Sequence, residues 1–234
     1  MARVIRGFGL VLALVVATTG APRAQIIDRI LAVVDNAIIT QSDVVGAMRL
    51  GLEKAPGAPD PIAAVLDSLI ERRLTLTEVD HYAPPEPPDA DVSLRFEQVR
   101  LSFPSTAAFR AMLAQTSLDE AQLRHYLRDD LRIDGYLQQR FGSTVQPTEE
   151  EILAYYRAHA DQFSIAGTVR PYDEAQDDAR RALVAERRKA LIRDWVAGLR
   201  RRANVSVLYS RGNPSIPHPQ SSGIRDYQGS GIRD

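Results

Sequence analysis

Apolar side chains recur at helical spacing along most of the chain. The clearest case is the segment from residue 62 to residue 82, where the apolar arc is broad enough to indicate a helix buried on much of its circumference. Its main stripe consists of Ile62, Val65, Leu69, Leu76 and Val79. The same period predicts further helices at residues 42–52, 89–102, 117–142, 149–160 and 173–203, with a short one around Phe109.

Two short β-branched runs near the start of the chain favour strands instead. Ile30 to Val34 and Ile38 to Thr40 flank Asp35-Asn36, a pair typical of a tight turn. A third short strand is expected at Val205 to Leu208. It has no sequential partner, so it either pairs with the N-terminal strands or stays an edge. The expected fold is therefore mainly α, with a small β-sheet.

Polar residues at the helix starts predict where several helices begin. Ser42 has the side chain of an N-cap. Ser117 with Glu120, and Thr148 with Glu151, have the spacing of capping boxes. Prolines between residues 84 and 88 predict a stiff connector.

The two ends of the chain differ from its body. Arg3 and Arg6 precede an apolar run from Gly7 to Ala21, the layout of a secretory signal peptide, and the run is shorter than the ~20 residues that a spanning helix needs. We expect residues 1–24 to be a cleaved signal; an uncleaved N-terminal anchor is the alternative. Residues 210–234, in which Gly-Ile-Arg-Asp occurs twice, are expected to form a flexible tail.

The composition excludes several kinds of chemistry. The chain has no Cys, which rules out disulfides, thiolate metal sites and Cys nucleophiles. Its 29 basic and 30 acidic residues argue against nucleic-acid binding through bulk positive charge. The four His are scattered, and no phosphate-binding loop or nucleophile motif occurs in the body. We therefore expect no cofactor, no metal site and no catalytic residue.

Three segments, in this order, resemble the SurA-type periplasmic chaperones. The first resembles the opening of those proteins, the second their next helix, and the third the segment that leads into their parvulin-type prolyl isomerase domain. They are Ile27 to Val44, Leu66 to Leu74, and Pro147 to Ile152 with Tyr155, Tyr156 and Phe163. The resemblance implies one helical chaperone module over residues 25–209, in which the C-terminal helix and strand return to the N-terminal part.

The chain departs from this family at one place. Only Ser164 to Pro171 separates Phe163 from the region that resembles the C-terminal helix of the family. A segment that short cannot hold a catalytic domain, so the isomerase domain is expected to be missing and the protein is not expected to be an enzyme.

The resemblance implies a periplasmic, ATP-independent holdase for unfolded exported polypeptides such as outer-membrane protein precursors. No nucleic-acid partner and no membrane span after signal cleavage are expected. The candidate client-binding surface consists of adaptable apolar side chains, those of Met48, Phe103, Phe109 and Met112. The alternative interpretation is that each of them packs in the core. Two alternatives stay open, a scaffold subunit of an envelope assembly with one dedicated partner and a degenerate prolyl isomerase.

Overall fold

The computed structural model describes residues 28–116, 118–142, 146–165 and 167–210. These ranges contain seven α-helices and a small antiparallel sheet of two N-terminal strands and a C-terminal strand, which confirms the predicted fold class. The predicted signal peptide, and the predicted tail from residue 211 onward, lie outside the described residues. The helices are α1 (Gln41–Arg49), α2 (Pro61–Tyr82), α3 (Asp89–Leu101), α4 (Thr106–Leu113), α5 (Glu120–Phe141), α6 (Glu149–Ala158) and α7 (Tyr172–Arg202). The strands are β1 (Ile30–Val34), β2 (Ala37–Thr40), β3 (Ser164–Ile165), β4 (Thr168–Val169) and β5 (Val205–Val207).

The three-stranded sheet joins the two ends of the described chain. Its order is β2-β1-β5, with both pairings antiparallel. Val34 lies opposite Val205 and Ala32 lies opposite Val207. The strand that lacked a sequential partner therefore pairs with β1. Because β1 is central, the sheet is complete only when the C-terminal strand is in place.

Most of the core forms where the sheet and α1 pack against α2. Leu31, Val44 and Ile70 are fully buried there, and Leu199 of α7 packs into the same cluster. A second cluster, under α3, α4 and α5, surrounds Phe109. The broad apolar arc of α2 is explained by its contacts with β1, α1, α5 and α7.

A smaller distal lobe forms around the first half of α7. It comprises α6, a 3-10 turn at Ala160–Phe163, the β3–β4 hairpin and the start of α7. Ile152 and Phe163 are buried against Ala175 and Ala179, two small residues that let the helices approach closely. The 31-residue α7 then continues to the main core, a length of about 46 Å.

Two local expectations need correction, and one element was not predicted. The stretch after Phe163 is a hairpin with Gly167 in the left-handed region. Its apolar residues Ile165 and Val169 are both exposed, so no alternation of buried and exposed positions was available to predict the strands. Thr40, and not Ser42, caps α1, because the Ser42 hydroxyl donates to the Asp28 carboxylate. Helix α5 begins at Glu120 under an Asp119–Gln122 capping box, and Ser117 lies outside the described residues.

The predicted capping box at the start of α6 is confirmed, and its Glu151 also anchors α6 to α7. The Arg187 guanidinium donates to both Glu151 carboxylate oxygens, at 2.6 and 3.1 Å. These hydrogen bonds, with that from the Thr148 backbone N–H, lower the pKa of Glu151 from its ordinary 4.5 to about 2. The ion pair is half-exposed, so salt weakens it.

We expect Glu151→Gln to reduce hydrogen-exchange protection in α6 at pH 7, because the anchor loses its charge. A carboxyl with a lowered folded-state pKa stabilises the fold above its unfolded-state pKa, and that stability disappears as the pH falls from about 4.5 towards 2. The difference between wild type and variant should therefore shrink over that window. Glu150→Gln, a change on the same helical turn, is the control, and an equal loss of protection in it would contradict the role of Glu151.

Candidate functional site

Two adjoining cavities open beside the loop that connects α1 to α2. One is mainly apolar and has a volume of about 180 Å³; its lining consists of Ile39, Asp43, Ala47, Leu52, Leu69, Arg72, Arg73, Leu118 and Tyr126. The other is more polar, at about 300 Å³; its lining consists of Leu50, Gly51, Leu52, Lys54, Arg95, Gln98, Val99, Ser102, Leu127 and Asp130. Leu52 is common to both linings, so it stands between the apolar cavity and the polar cavity.

A network of charged and aromatic side chains supports the wall between the cavities. The Arg72 Nε donates to Asp130 at 2.9 Å, and its Nη2 donates to the Tyr126 carbonyl at 2.9 Å. The guanidinium lies over the Tyr126 ring, with its carbon 3.7 Å from the ring centroid. The Tyr126 hydroxyl donates to Glu53 at 3.4 Å. Arg72 therefore fastens α2 to α5 through three kinds of contact.

Burial governs the protonation of this network. It raises the pKa of the Asp130 carboxyl, although Arg72 acts in the opposite direction. Burial and the nearby Asp130 raise the pKa of Glu53, while the Tyr126 hydrogen bond opposes that change. Burial also raises the pKa of the Tyr126 hydroxyl, so it stays a hydrogen-bond donor at neutral pH. Arg72 is therefore the main group that opposes the effect of burial on the pKa of Asp130.

The exposed charged side chains that line the two cavities are cationic. Arg73 is exposed at the apolar cavity, and Lys54 and Arg95 are exposed at the polar cavity. Across the part of the chain that the structure describes, none of the three has a carboxylate within ion-pair distance. The lining acids are engaged: Asp43 accepts from the Thr40 backbone N–H at 2.8 Å, and Asp130 accepts from Arg72.

The four side chains predicted to form the client-binding surface lie in two neighbouring clusters. Phe103, Phe109 and Met112 meet in the cluster under α3, α4 and α5, whereas Met48 packs against the main core. Phe109 is only 1% exposed, and its ring lies 5.7 Å from that of Phe96 and 5.6 Å from that of Phe103. Met48, Phe103 and Met112 are half-buried and keep part of their surface in solvent.

The cavity walls were not predicted from the sequence. Leu52, Arg72 and Tyr126 belong to a loop and two helices that are far apart in the chain. One signal was available: Arg72 interrupts the apolar arc of α2, and a cation in such a position needs a buried partner. That partner, Asp130, belongs to a pair of adjacent acids in α5.

A third cavity of about 260 Å³ lies at the other end of α2, lined by Tyr82, Tyr136, Gln139 and Arg140. The Arg140 guanidinium carbon is 5.4 Å from the Trp195 ring centroid and 6.0 Å from that of Tyr136, within cation–π range. These contacts join α5 to α7. Within the described ranges, no group of three or more His, Asp or Glu side chains could hold a metal ion.

Comparison with known proteins agrees with the resemblance to SurA-type chaperones. No protein-family model matches the chain. Over 219 residues, 86% of this chain, the sequence is 23% identical to the chaperone SurA of Cupriavidus metallidurans. The chain is similar to SurA-type chaperones. It spans 43% of the length of that relative, so the likeness concerns less than half of the SurA chain.

A solved structure from Campylobacter jejuni is also similar. It belongs to work on the virulence factor PEB4 and the periplasmic protein Cj1289, which are described as two structurally related SurA-like chaperones. The identity is 14%, the TM-score is 0.47, and the match covers 78% of this chain and all of that chain. At the position where the resemblance to SurA would place an isomerase domain, the described chain has the β3–β4 hairpin. In the described ranges, no helix has the length and apolarity needed to cross a lipid bilayer.

Proposed function

We propose that this protein is an ATP-independent holding chaperone for unfolded exported polypeptides, among them outer-membrane protein precursors, in the periplasm. One observation carries the proposal: a SurA-like helical module presents an open, mainly apolar cavity beside a second, polar one. Binding an unfolded segment needs no nucleotide, because the binding free energy alone lowers the concentration of aggregation-prone chain.

The apolar cavity has the size of one side chain. Its volume of about 180 Å³ slightly exceeds that of the roughly 150 Å³ engineered cavities that take up benzene. Precursors of membrane β-barrels carry apolar side chains at every second position, so such a segment repeatedly offers one for insertion. We include the exposed parts of Met48, Phe103 and Met112 in the client surface. The buried Phe109 ring packs against the Phe103 ring.

A concave apolar site favours a holder of many clients over a scaffold with one partner, because a dedicated interface is typically a flat patch. We also propose that the protein is not a prolyl isomerase. Its described residues between Phe163 and Tyr172 form only the small β3–β4 hairpin, which leaves no room there for a catalytic domain.

Leu118→Asp should weaken client holding, because it places a charge against the apolar cavity. The test measures light scattering of an unfolded porin diluted from urea, with the full chain at several-fold molar excess and no nucleotide. Wild type should suppress aggregation, and Leu118→Asp should need a concentration about tenfold higher, a cost expected for burying a charge beside an apolar client side chain.

The matched control is Leu191→Asp, the same change at an exposed leucine of α7 that lines neither cavity. It should suppress aggregation as well as wild type. Failure of the wild-type chain to suppress aggregation at several-fold excess would refute the holding function. Equal losses in both variants would show that the apolar cavity is not where clients bind.

A further inference from the structure

We infer that the two cavities bind an extended polypeptide segment in which an apolar side chain is flanked by carboxylates. This inference rests on the proposed holding function and specifies the class of client segment. It follows from the shapes of the two cavities, from their shared wall at Leu52, and from the positive sign of the exposed charges at their mouths.

The apolar part of the segment belongs in the apolar cavity. Ile39, Ala47 and Leu69 form its floor, and all three are buried in the main core. Leu52 and Leu118 form its sides and retain some exposure. A side chain entering from solvent would therefore lose its hydration against aliphatic surface, the exchange that drives apolar binding.

The cations at the mouths favour carboxylates on either side of that apolar residue. Arg73 lies at the apolar cavity, and Lys54 and Arg95 lie beyond Leu52 at the polar cavity. The carboxylates that line the cavities accept hydrogen bonds from other groups and lie beyond ion-pair distance of these cations, although Arg95 is near enough to Asp130 to lower its pKa. Asp43 completes the capping box of Thr40 at the start of α1, Asp130 accepts from Arg72, and both roles stabilise the fold.

An extended segment has the right geometry to meet both cavities. Side chains two positions apart on a strand point to the same side and lie about 7 Å apart, because each residue advances the chain by about 3.3 Å. A segment that crosses Leu52 can place an apolar side chain on one side of it and an acidic side chain on the other. A basic side chain in that position would instead meet Lys54 or Arg95, which is unfavourable.

The test compares two fluorescently labelled peptides of equal length by anisotropy with the full chain at low salt. One carries Leu and Asp two positions apart with Ser between them, and the other carries Leu and Lys in the same positions. Wild type should bind the acidic peptide about tenfold more tightly, as expected for several weak, exposed ion pairs acting together. The variant Lys54→Glu/Arg73→Glu should reverse this preference. Arg157→Glu/Lys189→Glu makes the same change in net charge at exposed sites outside both cavities and should keep the wild-type preference.

Equal affinity for the two peptides in wild type would overturn the inference while leaving aggregation suppression, and with it the proposed function, intact. An equal reversal in the control variant would also overturn it, since bulk charge would then be the cause. A rise in acidic-peptide affinity in Ile224→Ser/Ile232→Ser would show that the chain's own Gly-Ile-Arg-Asp repeats occupy the cavities. Loss of self-association in Lys54→Glu/Arg73→Glu would show that a second copy of this chain occupies the cavities. Either result would overturn the inference that an external segment is the occupant.

Discussion

Replacing Phe109 by alanine should lower the free energy of unfolding by about 3–5 kcal/mol, the range for removing a buried phenylalanine ring. The ring is 1% exposed and lies between Phe96, at 89° to it, and Phe103. Edge-to-face contact of this kind adds to the loss of buried area. The neighbouring helices can close the resulting cavity only in part, because α3, α4 and α5 all pack on it.

Urea unfolding followed by far-ultraviolet circular dichroism measures this change, with the slope of the unfolding transition checked for constancy. Phe103→Ala is the matched control, because its ring packs on the same cluster but is half-exposed. It should cost less stability and weaken client holding more. A loss below about 1 kcal/mol in Phe109→Ala would contradict the core role of this ring.

Arg72→Met should lower the free energy of unfolding by about 3–5 kcal/mol, the cost of leaving one member of a buried ion pair without its partner. The Arg72 and Asp130 side chains are 15% and 26% exposed, so water reaches the stranded carboxylate only in part. The variant also loses the hydrogen bond to the Tyr126 carbonyl and the contact with the Tyr126 ring. Adding Asp130→Asn should recover part of the stability, because it removes the stranded charge.

The deficit of Arg72→Met should also depend on pH. Burial already raises the pKa of Asp130, and the variant removes the cation that opposes this rise. An acid with a raised folded-state pKa adds stability below its unfolded-state pKa and loses that contribution as the pH rises through the folded-state value. The deficit should therefore be larger at pH 7 than at pH 4.

Thermal and urea unfolding at both pH values measure this difference. Arg73→Met is the control, since the neighbouring arginine is exposed and has no ion pair among the described residues. It should change stability little at either pH. A deficit in Arg72→Met that is the same at pH 4 and pH 7 would argue against a stranded Asp130.

The elements with a strong local pattern could be predicted from the sequence. Helix α2 follows its apolar arc, and β1 and β2 follow β-branched runs around Asp35, which adopts a positive φ in the turn. For β5 the pattern allowed either pairing with the N-terminal strands or an edge position; the family resemblance favoured its return to the N-terminal part, where it pairs with β1. Local competition between side chains was harder to predict: Ser42 could cap α1, but Asp28, 14 residues earlier, engages its hydroxyl.

The candidate site was less predictable because its walls come from distant parts of the chain. Arg72 and Asp130 are 58 residues apart, and the sequence around either residue does not identify the other as its partner. None of the Met and Phe residues chosen for adaptability is in the lining of either cavity, and the choice did not separate Phe109, which is buried, from Phe103, which is partly exposed. Exposure depends on how α3, α4 and α5 pack, and spacing along one helix does not contain that information.

The central position of β1 has a consequence for biosynthesis. Its partner β5 lies at Val205–Val207, so a chain emerging from the N-terminus presents β1 with one open edge until nearly all of the described residues have appeared. An open strand edge beside exposed apolar residues is a template for aggregation, and pairing this distant in sequence is slow. The newly made protein is therefore itself prone to aggregation until β5 pairs with β1, and aggregation is the outcome from which it is proposed to protect other chains.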